Sequence, residues 1–230
     1  WIGKNTCLIS PRRGSFFFLS ELFVDQELKP DAPITTDHCG SCRRCIEACP
    51  TGCILPDRTL DASRCISYLT IENKGPIPPD LRPQVGNWVF GCDVCQMVCP
   101  WNLRFAKPGE PALTPRPEVV APRLKDELLL SPQQFNQKFK NSPVQRARRR
   151  GYLRNVAVAL GNAAAPDMIP PLRQTLQEEP EPLVRGHAAW AIGQVGGQRA
   201  VELLSQAARQ ETDSWVKTEI QIALQAGPSA

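Results

Sequence analysis

The residues richest in chemistry are the ten cysteines of this 230-residue chain. Four form the run Cys39-x2-Cys42-x2-Cys45-x3-Cys49, closed by Pro50. Three more form Cys92-x2-Cys95-x3-Cys99, closed by Pro100. Three thiolates at this spacing can wrap three corners of one [4Fe–4S] cubane, and the fourth, followed by proline, turns away to ligate the other. The second run lacks a leading cysteine, because position 89 is Val89. The first cluster therefore takes Cys39, Cys42, Cys45 and, by crossing, Cys99. The second takes Cys49, Cys92 and Cys95 and needs one ligand more, for which Cys7, Cys53 and Cys65 are the candidates. Cys65 has enough chain after Cys49 to fold back. Cys53 follows Cys49 by one turn, where such motifs place a small packed residue. Cys65 is thus the expected ligand, and Cys7 and Cys53 are expected to act as small apolar packing groups.

Zinc would favour paired CxxC knuckles with four ligands per ion, and the first run crowds its thiolates too tightly for that. A disulfide framework does not fit these spacings either, and CxxC runs in a chain this long point to the reducing cytoplasm. A pair of clusters relays electrons singly and does no substrate chemistry itself, so an external electron donor and a further redox centre are implied. His38, beside Cys39, either tunes the first cluster or sits in a solvated loop. Trp88 and Trp101 bracket the second run and are expected to shield a cluster from water.

The elements that must hold these residues read as α+β in four parts. Residues 1–33 carry two candidate strands, 6–9 and 16–24, about the turn Pro11-Arg12-Arg13-Gly14. Residues 34–108 hold most of the cysteines, with Gly75-Pro76-Ile77-Pro78-Pro79 excluding regular structure at its centre. Residues 109–142 form a linker and helix, with Pro111, Pro115, Pro117 and Pro122 extending its start. Residues 143–230 repeat: 153–162, 184–193 and 216–225 share one pattern, and second helices are expected at 168–177 and 200–210. Such a period, with two helices per unit, marks an α-solenoid of the HEAT type.

The net charge is +4, but it is unevenly spread. Lys138, Lys140, Arg146, Arg148, Arg149, Arg150 and Arg154 fall in a stretch without acids, which points to a polyanion. Arg154, Arg185 and Lys217 occupy equivalent repeat positions. Stacked repeats would align them as a cationic ladder able to track phosphates. The competing reading is that each makes an ion pair inside its own repeat. No HExxH, GxSxG or Walker pattern occurs, so hydrolase and NTPase chemistry are unsupported. No run of apolar residues is long enough for a transmembrane helix.

The words W-I-G-K-N-T at 1–6, C-G-S-C-R-R-C-I-E-A-C-P-T-G at 39–52, C-I-S-Y-L-T-I-E at 65–72 and G-C-D-V-C-Q-M-V-C-P-W-N at 91–102, with the helical tail, resemble the epoxyqueuosine reductase family. The resemblance implies two [4Fe–4S] clusters beside cobalamin and reduction of epoxyqueuosine to queuosine in the tRNA anticodon loop. It implies that electrons enter at the second cluster, pass to the first and reduce the corrin cobalt, and that the solenoid helps hold tRNA. Its ligand set includes Cys65. It also implies that residues 1–33 are the end of an α/β cobalamin-binding domain. The proton-donating acid and most of the corrin pocket would precede Trp1, so no acid in this sequence is given that role. Lys4, Asn5 and Ile9, with Ser67 and Tyr68, are expected to face the corrin. A monomer in the cytoplasm is expected. The alternatives are a reductive dehalogenase-like enzyme, which also couples cobalamin to two clusters, and a non-catalytic electron-transfer module.

Overall fold

The computed structural model describes residues 1–105 and 114–225. Helices run in the order α1 (Arg44–Ala48), α2 (Ile66–Ile71), α3 (Arg82–Val85), α4 (Val94–Met97), α5 (Pro100–Phe105), α6 (Leu124–Glu127), α7 (Pro132–Lys138), α8 (Arg148–Ala163), α9 (Ile169–Glu178), α10 (Pro182–Val195), α11 (Gly197–Gln210) and α12 (Ser214–Gln225). The chain divides into two units, one of Trp1–Cys65 with Asp93–Thr114 and the other of Ile66–Cys92 with Pro115–Ala230. This differs from the division read along the sequence. Residues 66–92, the later part of the stretch between the two cysteine runs, belong with the repeats. Residues 106–113, the end of the cysteine-rich span and the start of the expected linker, and 226–230, the end of the repeat span, lie outside the described residues.

In the cysteine unit the two runs take the same local form. A short helix carries the cysteine that precedes the Cys-Pro pair, Cys45 in α1 and Cys95 in α4, and α1 packs on α4. The unit's apolar core is small: Trp1, Ile9 and Cys99, with Trp101 packed against them. So little buried apolar surface stabilises a unit this size poorly by itself, and metal–thiolate bonds are the usual substitute.

The strands expected in residues 1–33 do not form among the described residues. Ile2 bridges Leu8 and Ser10 bridges Gly14, both singly. Residues 16–24 have no regular structure, and Phe18 and Phe23 are 89% and 95% exposed. A strand is stabilised by its neighbours, and the alternation of 16–24 has no neighbour here to pair with. Asn102 ties the preceding turn down. It accepts from the Ser15 N–H at 2.6 Å and donates to Ser15 Oγ at 2.9 Å and to the Gln96 carbonyl at 2.8 Å.

The other unit is the expected repeat array. Helices α8, α10 and α12 stack side by side, with α9 and α11 outside them. The inner helices are buried almost all round: residues 151–161 of α8 are all buried, as are 186–192 of α10. The outer α11 buries only Ala200 and Leu204 and turns its polar face outward, the pattern of a one-sided helix. Asp213 caps α12 by accepting from the Trp215 and Val216 N–H groups, each at 3.0 Å.

The recurring glycines explain how closely the inner helices approach. A Cβ on Gly161 would lie 2.5 Å from the Trp190 ring and 2.9 Å from the Ala191 backbone, and one on Gly193 would lie 2.9 Å from Ala223 Cβ. Gly161→Ala is therefore expected to destabilise the array by about 1–3 kcal/mol through overpacking. Urea unfolding checks this, and an unchanged midpoint would contradict the close approach.

Buried polar side chains join the segment 66–92 to the array. Arg154 is fully buried and donates to the carbonyls of Asn73, Gly75 and Leu69 at 2.8, 2.6 and 2.5 Å. Asn155 donates to the Thr70 and Val89 carbonyls, both at 2.8 Å. His187 Nε2 accepts from the Ile77 N–H at 3.2 Å, which leaves Nδ1–H to donate to the Leu183 carbonyl at 2.7 Å. Burial, and then the charge of Arg82, holds that imidazole neutral, well below its ordinary pKa. The proline-rich turn cannot make regular backbone bonds, and these side chains satisfy it instead.

Candidate iron–sulfur centre and basic surface

The four cysteines assigned to the first cluster line one cavity of about 310 Å³. Gly40, at φ +50°, turns the chain after Cys39 so that the Cys42 N–H donates to the Cys39 carbonyl at 3.0 Å. Helix α1 then presents Cys45, and Cys99 arrives from the second run. Ile9, Trp101 and Phe105 supply apolar walls, and Lys4, Arg44 and Arg104 supply positive charge. The Trp1 indole N–H is buried without a hydrogen-bond partner. A cage of four thiolates with apolar walls and cations at its rim suits an anionic cubane, whose potential such surroundings tune. Among the described residues no three histidine, cysteine or acidic side chains converge enough to hold one metal ion. A tetrahedral zinc would need its thiolates within about 4 Å of one another.

Three cysteines of the second set, Cys49, Cys65 and Cys95, lie in the cysteine unit. The chain after Cys49 turns at Gly52, φ +60°, forms the single bridge Ile54–Leu60, and returns to Cys65. Arg64, next to Cys65, donates from Nε to the Thr51 carbonyl at 3.1 Å, which pins the returning chain to the Cys49 turn. Cys95 stands on α4, and the Cys7 thiol donates to the Asn5 carbonyl at 3.6 Å. Cys92 ends the other unit and packs against that unit's apolar core.

Cys53, expected only to fill space, is 2% exposed with its sulfur 3.4 Å from that of Cys49. Burial, reinforced by Cys49, pushes the Cys53 thiol up to about 12. Thr51 Oγ1 lies 3.6 Å from the same sulfur. Burial alone would raise the Cys49 thiol, but hydrogen bonds from Thr51 and Cys53 outweigh it and lower it. Nothing in the spacing of the run distinguishes Cys53 from a packing residue. The turn geometry does.

The residues expected to face the corrin fall in two places. Asn5 and Ile9 are 4% and 2% exposed. Asn5 donates to the Cys95 carbonyl at 3.5 Å, and Lys4 donates to the carbonyls of Gly40 and Cys42 at 2.6 and 3.0 Å. Residues 1–9 form a tight turn packed on the cysteine loops, so these side chains serve the clusters' surroundings. Ser67 and Tyr68 belong to the other unit, where Tyr68 is exposed. His38 meets the rings of Trp1 and Trp101 edge-on, with centroids 4.6 and 5.7 Å apart.

The cationic ladder is revised. Arg154 is buried in carbonyl contacts, and burial pushes its pKa down to about 10, which still leaves it charged at neutral pH. Arg185 grips Glu211 with two bonds of 2.8 and 2.9 Å, and Arg149 grips Glu179 with two of 2.9 and 2.6 Å. Both acids follow the second helix of a repeat, so these are ion pairs inside each repeat. Lys217 is exposed. The basic surface lies instead where residues 146–150 meet the 72–75 turn. Arg146 and Arg148 are exposed, Arg150 is half-buried, and Arg146 pairs with Glu72. Lys74, which charge runs along the chain did not single out, donates to the Arg146 carbonyl at 2.5 Å. Burial lowers its ammonium pKa, and Arg148, Arg154 and Arg146 lower it further despite the opposing charge of Glu72.

Comparisons with known proteins agree with both halves of the chain. Residues 38–102 match the 4Fe-4S double cluster binding domain, and residues 146–225 match HEAT repeats. The fold and site define a two-cluster iron–sulfur protein built on a helical repeat array. An epoxyqueuosine reductase of Pseudomonas aeruginosa is 48% identical over 85% of this chain and 54% of its own length. That of Escherichia coli K12 is 43% identical over 84% of this chain and 51% of its own. The solved epoxyqueuosine reductase of Bacillus subtilis superposes with a TM-score of 0.92 at 36% identity, covering 99% of this chain and 60% of that one. A solved epoxyqueuosine reductase with an epoxyqueuosine-modified tRNA-Tyr stem loop also gives 0.92 at 36% identity, over 98% and 60%. The chain belongs to the epoxyqueuosine reductase family, and it spans just over half the length of these curated relatives.

Among the described residues no helix is long and apolar enough to cross a membrane.

Proposed function

We propose that this chain is the electron-relay and substrate-holding part of a reductase that converts epoxyqueuosine to queuosine in tRNA. The observation that carries the reading is that Cys39, Cys42, Cys45 and Cys99, drawn from two distant runs, line one cavity. When bound, the clusters supply single-electron transfer. Cys49, Cys65, Cys92 and Cys95 hold the entry site, and the cage of Cys39, Cys42, Cys45 and Cys99 holds the exit. The walls of Ile9, Trp101 and Phe105 exclude water from that exit, and Lys4, Arg44 and Arg104 offset its negative charge. Cobalamin is the acceptor that the family resemblance implies. Of the five side chains assigned to it, Asn5 and Ile9 are buried against the cysteine loops, and Lys4, Ser67 and Tyr68 keep exposed surface that could meet it.

The tRNA is held by the cations of the 72–75 and 146–150 turns. That reading draws support from their grouping and from the relative solved with a modified tRNA stem loop. Binding of such a stem loop to the holoprotein is expected to weaken steeply with salt, because phosphate contacts release counterions. Arg148→Ala is expected to weaken binding at all sequences and to reduce the slope of log K against log salt by about one. A salt-independent affinity, or a slope untouched by Arg148→Ala, would contradict it.

A further inference from the structure

The turn Pro50–Cys53 is built to donate hydrogen bonds to one sulfur. The Cys53 sulfur lies 3.4 Å, and Thr51 Oγ1 3.6 Å, from the sulfur of Cys49. Gly52, at φ +60°, gives the turn the left-handed residue that folds these donors back. Thr51 and Cys53 are 3% and 2% exposed, so water does not compete for them. In the isolated thiol either atom of each pair can donate. Once Cys49 binds iron it has no proton, and both neighbours must donate to it.

We infer that Thr51 and Cys53 are positioning residues that set the potential of the second cluster, donating O–H···S and S–H···S hydrogen bonds to the ligand sulfur of Cys49. This rests on the reading of Cys49 as a ligand. Reduction adds negative charge to the cluster and its sulfurs. Donors aimed at a ligand sulfur stabilise that charge and raise the potential. The second cluster, as the entry point, thereby accepts electrons from a weaker donor than it otherwise would.

The test is an EPR-monitored redox titration of anaerobically loaded holoprotein, with iron counted in parallel. The second cluster is identified as the one lost in Cys65→Ser. In Cys53→Ala and in Thr51→Val, iron is expected to stay at the wild-type value. The second cluster's reduction equilibrium should shift about tenfold toward the oxidised form in each, which is about 59 mV for one electron. The first cluster's potential should not move. Cys53→Ser, which keeps a donor, should restore most of the shift and controls for a packing defect. Unchanged potentials with iron intact would overturn the inference. Loss of half the iron in Cys53→Ala would also overturn it, making Cys53 a ligand in place of Cys65. A wild-type protein without clusters would instead sink the proposed function.

Discussion

Replacing Arg82 with methionine is expected to destabilise the repeat unit by about 3–5 kcal/mol, the cost of leaving a buried charge without its partner. Arg82 is 1% exposed, and its guanidinium meets Glu219 through two bonds of 2.6 Å. Its Nε donates to the Ile77 carbonyl at 2.8 Å, and its head sits 5.6 Å from the Trp190 ring centroid. Glu219 is itself 4% exposed, so removal of Arg82 strands a carboxylate among apolar groups. Loss of this size should lower the thermal midpoint by about 10 °C or more in a unit this large. The double variant Arg82→Met/Glu219→Met should recover much of the loss, because a buried pair exchanged for apolar groups is often near neutral. A single variant that loses under about 1 kcal/mol would put the pair in contact with water and contradict the burial.

Cys99→Ser should take the protein from about eight iron atoms per chain to about four, on the rule of four thiolates per cubane. The geometry makes the prediction specific. Cys99 lines the same cavity as Cys39, Cys42 and Cys45 although it stands in the other run. Cys45→Ser and Cys99→Ser should therefore leave the same surviving cluster, with the same EPR signal, and Cys65→Ser should leave the other. If Cys45→Ser and Cys99→Ser left different survivors, each run would hold its own cluster and the crossed assignment would fail.

The parts of the fold legible in the sequence were those written in short-range spacing. The CxxCxxCxxxCP run dictates its own turn and helix, and the repeat of 153–162 at 184–193 and 216–225 carries helix period and glycine placement together. What the sequence left hidden depended on distant partners. The segment 66–92 joins the repeats through Arg154, Asn155, Asn162 and Arg82, whose targets are mostly backbone carbonyls with no side-chain signature. Arg154, Arg185 and Lys217 align in the repeat pattern, yet their partners differ. Arg154 finds carbonyls, Arg185 finds Glu211, and Lys217 stays exposed. The apolar run 16–24 has the alternation of a strand but gains no ladder here, because alternation states a preference and pairing needs a neighbour. Cys53 looked like a small filler because a sulfur contact across one turn leaves no trace in spacing.

The central claim is that two iron cubanes share thiolates across distant stretches of this chain. Anaerobic preparation followed by iron, acid-labile sulfide and zinc analysis tests it most directly. About eight iron and eight sulfide per chain are predicted, with broad absorption near roughly 400 nm, as for two four-thiolate cubanes. A colourless protein with stoichiometric zinc and no labile sulfide would contradict it.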